Sequence, residues 1–343
     1  MDNSPLYQYP TSAASSSSSS FEPIGRSRGW NDLRTHCSSF DASLLRPARV
    51  TQGIEPHFVY SRCTGHKKAL CIGINYTGSG ADELRGCVKD AEKMCDFLTG
   101  QGFGWDNIVL LTDKDAMEQA SRPTKENILK MMDWLVVGAK RDDSLFFYYA
   151  GHGRQIKDQN GDEADEWDEA IVPVDATGSG GIITDDAIYA TLIQRLPVGC
   201  RLTALVDACT SGTVLDLPYV YRAANSLIKR PAGTAKEYRP WPLSRRDSME
   251  NAPDVVFWSA CKDGELARDR HTLTQAFVKI MKKHKYHSLN YEEMLKSIRE
   301  LLHESKGEQK QKPQFGTYHP YHAGDMRRPF FISAREELAP PTC

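Results

Sequence analysis

A short apolar run that ends abruptly in a polar loop is the feature that most constrains the fold of this chain. Residues 202–206 are mostly apolar, and the segment Asp-Ala-Cys-Thr-Ser-Gly at 207–212 follows them directly. Such a run is typical of a buried strand, and the glycine permits a sharp turn after it. Because ligands of open α/β sheets bind outside the carboxyl ends of the strands, the pattern predicts that Cys209 borders a crevice.

A second run of the same shape, 144–149, ends in Ala-Gly-His-Gly and places His152 at another strand end. A thiol attacks as the thiolate, and a nearby imidazole can accept its proton. The two runs therefore predict a dyad of Cys209 and His152, with the amides of Gly153 and Cys209 stabilising an oxyanion. The alternative is that Cys209 is an inert core residue, as many free cysteines are. Its place in a polar loop favours the nucleophile.

Apolar runs alternate with stretches of helical periodicity along most of the chain. This alternation predicts an α/β fold with a central, mostly parallel sheet flanked by helices. Residues 1–65 contain six consecutive serines and are predicted to be a flexible N-terminal region, whereas 221–253 carry seven basic residues and are predicted to be an exposed, cleavable linker. The predicted strands are 67–75, 107–113, 144–149, 169–175, 202–206, 254–261 and 329–333, and the predicted helices are 88–98, 124–135, 186–196, 273–281 and 291–302.

Charge and cysteine content exclude several classes of protein. A net charge of −2 gives no reason to expect nucleic acid or an anionic membrane as a partner. No apolar stretch is long enough to span a bilayer, and the first residues do not resemble a secretory signal. The nine cysteines are scattered and odd in number, which is typical of free thiols in a reducing compartment. We therefore predict an intracellular protein, cytoplasmic and also compatible with the nucleus.

The blocks 149–153 and 207–219, together with 259–263, 311–314 and 329–332, resemble those of type I metacaspases, which are caspase-like cysteine peptidases. The resemblance runs from about residue 67 to the C-terminus. It implies a caspase-like three-layer sandwich, made of a large segment (66–220) and a small segment (254–343) that complete one domain. It also implies a monomeric enzyme that depends on Ca²⁺, cleaves proteins and peptides after Arg or Lys, and acts in stress responses and programmed death.

A site that binds a substrate Arg or Lys must offer carboxylates, because a desolvated cation without a partner is costly. Asp207 is the candidate by position, two residues before the nucleophile; the alternative is that it only caps a turn. By resemblance, Cys87 and Asp90 line the same pocket, and Asp269 contributes to it.

The loop after His152 contains seven carboxylates between 158 and 169, a density that suits a hard cation with oxygen ligands. A run of charge is, however, more often a solvated surface. By resemblance, the calcium ligands are Asp168, Asp185, Asp186 and Asp216. A cation bound by Asp216 would order the loop that carries Cys209.

The leading interpretation is a calcium-dependent cysteine endopeptidase that cleaves after Arg or Lys and processes itself in the basic linker. A weakly active or inactive caspase-like binding protein in protein quality control is one alternative, because Ala150, Ala208 and Thr210 depart from the usual family residues. A nucleotide-binding α/β protein is another. No Gly-x-Gly-x-x-Gly or phosphate-loop motif follows a predicted strand, which argues against that alternative.

Overall fold

A computed structural model of the chain describes residues 58–114, 118–158, 166–177, 181–209, 212, 214–221, 252–260, 272–284, 289–304, 312–321 and 323–334. The predicted N-terminal region up to residue 57, the predicted linker apart from its ends, and Asp269 lie outside these residues. The strands are β1 (Lys67–Gly73), β2 (Ile108–Thr112), β3 (Ser144–Ala150), β4 (Gly153–Lys157), β5 (Trp167–Ile171), β6 (Ile183–Thr184), β7 (Arg201–Asp207), β8 (Tyr219–Tyr221), β9 (Asp254–Ser259) and β10 (Gln314–Thr317). The helices are α1 (Cys87–Thr99), α2 (Lys125–Val136), α3 (Asp185–Ile188), α4 (Leu273–Lys283), α5 (Tyr291–Glu304) and α6 (Ala323–Met326).

The central sheet has seven strands in the order β2-β1-β3-β7-β9-β10-β8. The five strands from β2 to β9 pair in parallel, and β10 and β8 are antiparallel additions at one edge. Every residue of β3 and β7 is buried. Continuous burial of this kind is expected of parallel strands whose two faces are both covered, which explains why these two strands read as apolar runs.

The helices cover both faces of the sheet. Buried residues of α1, α4 and α5 pack on one face, and those of α2 and α3 pack on the other. Because successive side chains of a strand point to opposite faces, Tyr148 of β3 belongs to the first layer and Tyr149 to the second. The predicted α/β architecture with a mostly parallel central sheet is confirmed. None of the helices in the described segments is both long and apolar enough to cross a membrane.

A small antiparallel sheet of order β4-β5-β6 extends from the carboxyl end of β3. Strand β4 begins immediately after His152, and its Ile156 lies opposite Asp168 of β5. The sequence did not predict β4. It predicted β5 two residues too late, at 169–175.

Two other predicted elements differ from the structure. The predicted strand 329–333 is reduced to a single bridge between Pro329 and Asn290, supported by a bond from the Phe330 amide to the Leu289 carbonyl; Pro329 itself has no N–H to donate. The predicted helix 186–196 begins as α3 and continues as a π-helical turn, Tyr189–Ile193.

The amino ends of the strands are joined by a buried ion pair. The guanidinium of Arg201 on β7 donates to Asp254 on β9 at 2.7 Å, and the two side chains are 3% and 0% exposed. Tyr291 of α5 accepts a second bond from Arg201 at 3.2 Å. The backbone amide of Ser61 donates to the same Asp254 oxygen at 2.9 Å, so the segment before β1 is anchored to this pair.

Candidate active site

The register of β3 and β7 places the predicted nucleophile and base at adjoining strand ends. Ala150 lies opposite Asp207 in a parallel pair, and His152 and Cys209 each follow two residues later. Paired strands are about 4.8 Å apart, so the two side chains leave the sheet from neighbouring positions. Cys209 is half-buried, as a thiol that meets a substrate must be.

Two tyrosine hydroxyls hold the backbone of His152. The hydroxyl of Tyr149 donates to the carbonyl oxygen of His152 at 2.7 Å. The hydroxyl of Tyr76 accepts from the His152 amide at 2.9 Å and donates to the carbonyl of Val172 at 2.7 Å. The two hydroxyls are 3.1 Å apart. Both tyrosines are buried.

The imidazole of His152 is oriented by a carbonyl and an aromatic ring. Its Nε2 lies 2.6 Å from the carbonyl oxygen of Asp82, and its ring centroid lies 4.5 Å from that of Tyr76 at an interplanar angle of 35°. A carbonyl oxygen can only accept, so Nε2 carries a proton. Nδ1 is then the nitrogen that can accept a proton from the thiol.

A buried carboxylate fixes the loop that carries Tyr76. The two oxygens of Asp113 accept from the amides of Asn75 at 2.9 Å and Thr77 at 3.2 Å. Tyr76 has a φ of 53°, in the left-handed region that a side chain with a Cβ seldom adopts. The two hydrogen bonds that Asp113 accepts, from the residues on either side of Tyr76, offset the strain of this backbone conformation.

The amide of Gly153 faces away from the small sheet. Val172 donates its amide to the carbonyl of His152 at 3.2 Å, which makes the next pair, Gly153 and Ile171, the pair without hydrogen bonds. The Gly153 amide is thus directed away from β5, as an oxyanion donor requires.

Asp207 connects the end of β7 to the start of α4. Its Oδ2 accepts from the amide and the hydroxyl of Thr274, at 2.8 and 2.7 Å. Its Oδ1 is buried and makes no hydrogen bond of good geometry within the described segments, and the backbone amide of Leu273 also stabilises the charged carboxylate. Burial raises the pKa of the Asp207 carboxyl to about 6, and the negative charge of Asp90 adds to the increase.

Asp90, on α1, lies close enough to Asp207 at the end of β7 for its charge to act on that carboxyl. Its carboxylate accepts from the hydroxyl of Thr272 at 2.7 Å and pairs with Lys93 at 3.0 Å. Cys87, half-buried, lies one turn earlier on the same helix. We call Asp90 and Asp207 the carboxylate pair; both contact the first turn of α4.

A second acidic cluster surrounds Asp185 at the start of α3. The buried carboxylate of Asp185 accepts from the amides of Glu169 at 2.8 Å and Asp186 at 2.9 Å. Burial raises the pKa of Asp185 to about 9, with the charges of Glu169 and Asp216 adding to the increase. Asp168 is buried on β5.

The described residues contain no group of three or more His, Cys, Asp or Glu side chains positioned to hold a metal ion. Residues 159–165 of the acidic loop lie outside them.

Comparisons with known proteins bear on this geometry. A family model described as the metacaspase, peptidase C14 domain matches residues 67–218, the segment that contains both strand ends. Metacaspase-1 of Cryptococcus neoformans is 41% identical over 308 residues, which cover 78% of this chain and 66% of the relative. Metacaspase-1 of Pyricularia oryzae is 38% identical over 303 residues, which cover 77% of this chain and 74% of the relative.

The chain belongs to the metacaspase family. It spans about two thirds of the length of the Cryptococcus relative, 66%. A solved structure from Geobacter sulfurreducens superposes with a TM-score of 0.53 at 22% identity, covering 79% of this chain and 100% of that one, which supports the fold alone.

Four residues around the histidine of this metacaspase were missed in the sequence. Tyr76 and Asp113 belong to no motif, Tyr149 is the first residue of the block 149–153 but was given no role, and Asp82 acts through its backbone. Tyr149 stands in the strand that delivers His152, so the apolar run itself was a signal for it. The other three come from loops whose path a sequence pattern does not predict.

Proposed function

We propose that this metacaspase is a cysteine endopeptidase that cleaves protein substrates after Arg or Lys. The observation that carries the proposal is the parallel register of β3 and β7, which brings Cys209 and His152 to adjoining strand ends. Family membership supports the same chemistry, since the matching domain is described as a peptidase.

Acylation begins when the Cys209 thiol gives its proton to Nδ1 of His152. The thiolate adds to the carbonyl carbon of the scissile bond, and the carbonyl oxygen becomes an oxyanion beside the amides of Gly153 and Cys209. The carbon–nitrogen bond then breaks, and the leaving amine takes the proton from His152. A thioester to Cys209 remains.

Deacylation reverses these roles with water. His152 accepts a proton from the attacking water, and the resulting hydroxide adds to the thioester carbon. The carbon–sulfur bond breaks and releases an acid product, and the proton on His152 returns to the Cys209 thiolate. The enzyme is regenerated with no net change in its protonation.

The preference for Arg or Lys rests on the carboxylate pair. Oδ2 of Asp207 is already bonded to Thr274, whereas Oδ1 is buried and makes no hydrogen bond of good geometry among the described residues. A buried acceptor in this state costs free energy that a cationic donor would offset. A guanidinium or ammonium group from the substrate would also relieve the repulsion between Asp207 and Asp90.

The proposal includes Ca²⁺, with Asp168, Asp185, Asp186 and Asp216 as the residues that would hold it. As described, these four side chains do not form a ready set of three or more ligands, so binding would require them to converge. Carboxylate oxygens are the ligands that Ca²⁺ prefers, and Asp185 already interacts with the charge of Asp216. A bound cation would neutralise this cluster and order the segment between Cys209 and Asp216. The remaining chemistry belongs to the side chains described above.

Self-processing in the predicted linker, 221–253, is a further part of the proposal. An enzyme that cleaves after basic residues meets seven of them in this segment. Purified protein incubated with Ca²⁺ is expected to convert into two fragments, and Cys209→Ala is expected to stay intact. Persistence of a single wild-type band during turnover of peptides would contradict this part alone.

The decisive test compares wild type and Cys209→Ala on fluorogenic peptides ending in Arg, Lys or Asp, with Ca²⁺ or with chelator. We expect hydrolysis of the Arg and Lys peptides by the wild type with Ca²⁺ and none by Cys209→Ala. Equal turnover by the wild type with Ca²⁺ and with chelator would contradict the proposed dependence on Ca²⁺. Absence of turnover under every condition would favour a binding protein without peptidase activity.

A further inference from the structure

We propose that a pair of buried tyrosines, Tyr76 and Tyr149, acts as the positioning device for His152, and that the ring of Tyr76 and the carbonyl of Asp82 stabilise the imidazolium in place of a carboxylate. This inference rests on the proposed function and adds residues to it. Tyr149 acts through the backbone of His152, whereas Tyr76 acts through that backbone and also places its ring against the imidazole.

The first observation is that the tyrosines bond to both backbone polar groups of His152. Tyr149 donates to its carbonyl at 2.7 Å, and Tyr76 accepts from its amide at 2.9 Å. The backbone of His152 is therefore held from two independent elements, β3 and the loop after β1. Sites that transfer protons need this precision, because small displacements of a base slow the reaction.

The second observation concerns Gly151. A Cβ added at this position would lie 2.6 Å from the hydroxyl of Tyr149 and 2.9 Å from that of Tyr76. The glycine before the histidine thus makes room for the tyrosine hydroxyls. Any larger residue there would displace the tyrosine pair.

The third observation is the surroundings of the imidazole itself. Cysteine peptidases need an imidazolium beside the thiolate, and a third group commonly stabilises and orients it. Here the group at Nε2 is the neutral carbonyl of Asp82, at 2.6 Å, with the Tyr76 ring 4.5 Å from the imidazole. An aromatic face attracts a cation at such a distance, so Tyr76 favours the charged form.

One loop supplies both parts of this arrangement. Tyr76 and Asp82 lie in the same connection between β1 and α1, and Asp113 anchors it through the amides on either side of Tyr76. Asp113 is buried at the end of β2. It therefore acts as a positioning residue for the loop, one step further from the chemistry than the tyrosines.

The experiment uses the whole 343-residue chain and conservative variants of it. Tyr76→Phe and Tyr149→Phe each remove the hydroxyl and keep the ring, and Tyr76→Leu removes the ring as well. Tyr189→Phe is the matched control, because its hydroxyl pairs with that of Tyr318 at 3.1 Å rather than with His152. Thermal unfolding of every variant confirms that it folds.

The first readout is turnover of an Arg peptide with Ca²⁺. Losing a hydrogen bond to the histidine backbone is expected to lower kcat about 10-fold in each Phe variant while KM stays within about twofold. Tyr189→Phe is expected to keep both constants within about twofold of wild type. Two folded Phe variants with wild-type kcat would overturn the proposal.

The second readout does not need a substrate. The rate at which iodoacetamide alkylates Cys209, followed by mass spectrometry, reports the pH at which its thiolate forms. Tyr76→Leu is expected to raise this midpoint by about one pH unit, whereas Tyr76→Phe keeps it. An unchanged midpoint in Tyr76→Leu would refute the role of the ring. A shifted midpoint in a protein that cleaves no peptide would reject the proposed function and retain the positioning role.

Discussion

Asp207 accepts two hydrogen bonds from Thr274 through a single oxygen, at 2.8 Å from the amide and 2.7 Å from the hydroxyl. The N-cap of α4 is Thr272, and the candidate specificity residue Asp207 adds a second acceptor for the first turn of the same helix. The contact with the turn uses Oδ2, and the proposed contact with a substrate cation would use Oδ1, so the two roles that the sequence presents as alternatives for Asp207 are compatible.

Asp207→Asn is expected to lower kcat/KM on Arg peptides by about 100-fold, chiefly through KM. The amide keeps an acceptor for Thr274 but removes the negative charge that pairs with the substrate. Steady-state kinetics measure the effect. Asp96→Asn, on the exposed side of α1, is the matched control.

The same residue predicts a pH dependence in the wild type. Because the pKa of Asp207 is raised to about 6, the carboxyl gains a proton and loses its charge as the pH falls below that value. kcat/KM on Arg peptides is expected to fall below pH about 6 in the wild type. In Asp207→Asn this titration is absent, and an identical acid limb in both proteins would assign the titration to another group.

Thr274→Val and Asp90→Asn are expected to shift this acid limb in opposite directions. Thr274→Val removes a hydrogen bond that favours the charged form of Asp207, so its pKa rises further. Asp90→Asn removes a neighbouring negative charge, so the pKa of Asp207 falls. Profiles of kcat/KM against pH for the two variants measure both shifts, and shifts of the same sign would exclude Asp207 as the titrating group.

Asp185 predicts that stability without Ca²⁺ declines as the pH rises. Its pKa is raised from 3.8 to about 9, so between these values the folded state retains a proton that the unfolded chain has lost. The contribution of this proton to stability is present below pH about 4 and is lost progressively up to pH about 9. Thermal unfolding in chelator is expected to show this decline in Cys209→Ala and a weaker decline in the double variant with Asp185→Asn. Asp106→Asn, on an exposed turn, is the control.

Asp254→Asn is expected to lower the free energy of unfolding by about 3 to 5 kcal/mol. The substitution leaves the buried guanidinium of Arg201 without its charged partner and weakens the bond from the Ser61 amide. Denaturant unfolding measures the loss. A change below about 1 kcal/mol would show that Tyr291 alone compensates for the charge.

The sequence predicted those strands and site residues that are marked by an apolar run or by a polar loop at the end of one. The buried parallel strands β3 and β7 are apolar because helices cover both faces, and their polar endings marked Cys209 and His152. Strand β4, Gly-Arg-Gln-Ile-Lys, belongs to a small half-exposed sheet and has no apolar run to indicate it. Strand β10 has four residues, too few for a periodicity to appear.

The residues of the candidate site that act through their side chains, Cys209 and His152, could be predicted from the sequence. The backbone group that contacts His152, the carbonyl of Asp82, could not. The carbonyl of Asp82 is an acceptor that any residue type would offer, so no pattern points to it. The tyrosine contacts depend on how the loop after β1 turns across β3. That path follows from the bonds of Asp113, a residue far from His152 in the chain.

The loop between β1 and α1 bears on how this protein can be redesigned. The same short connection orients the imidazole through Tyr76 and Asp82 and then continues into the helix that presents Asp90. Variants of this loop made to change the proposed selectivity are therefore expected to have a lower kcat as well. The reason is that the same loop positions His152 and leads into the helix that carries Asp90. Thr272 at the entrance of α4, which contacts Asp90 but not His152, is the better starting point for engineers.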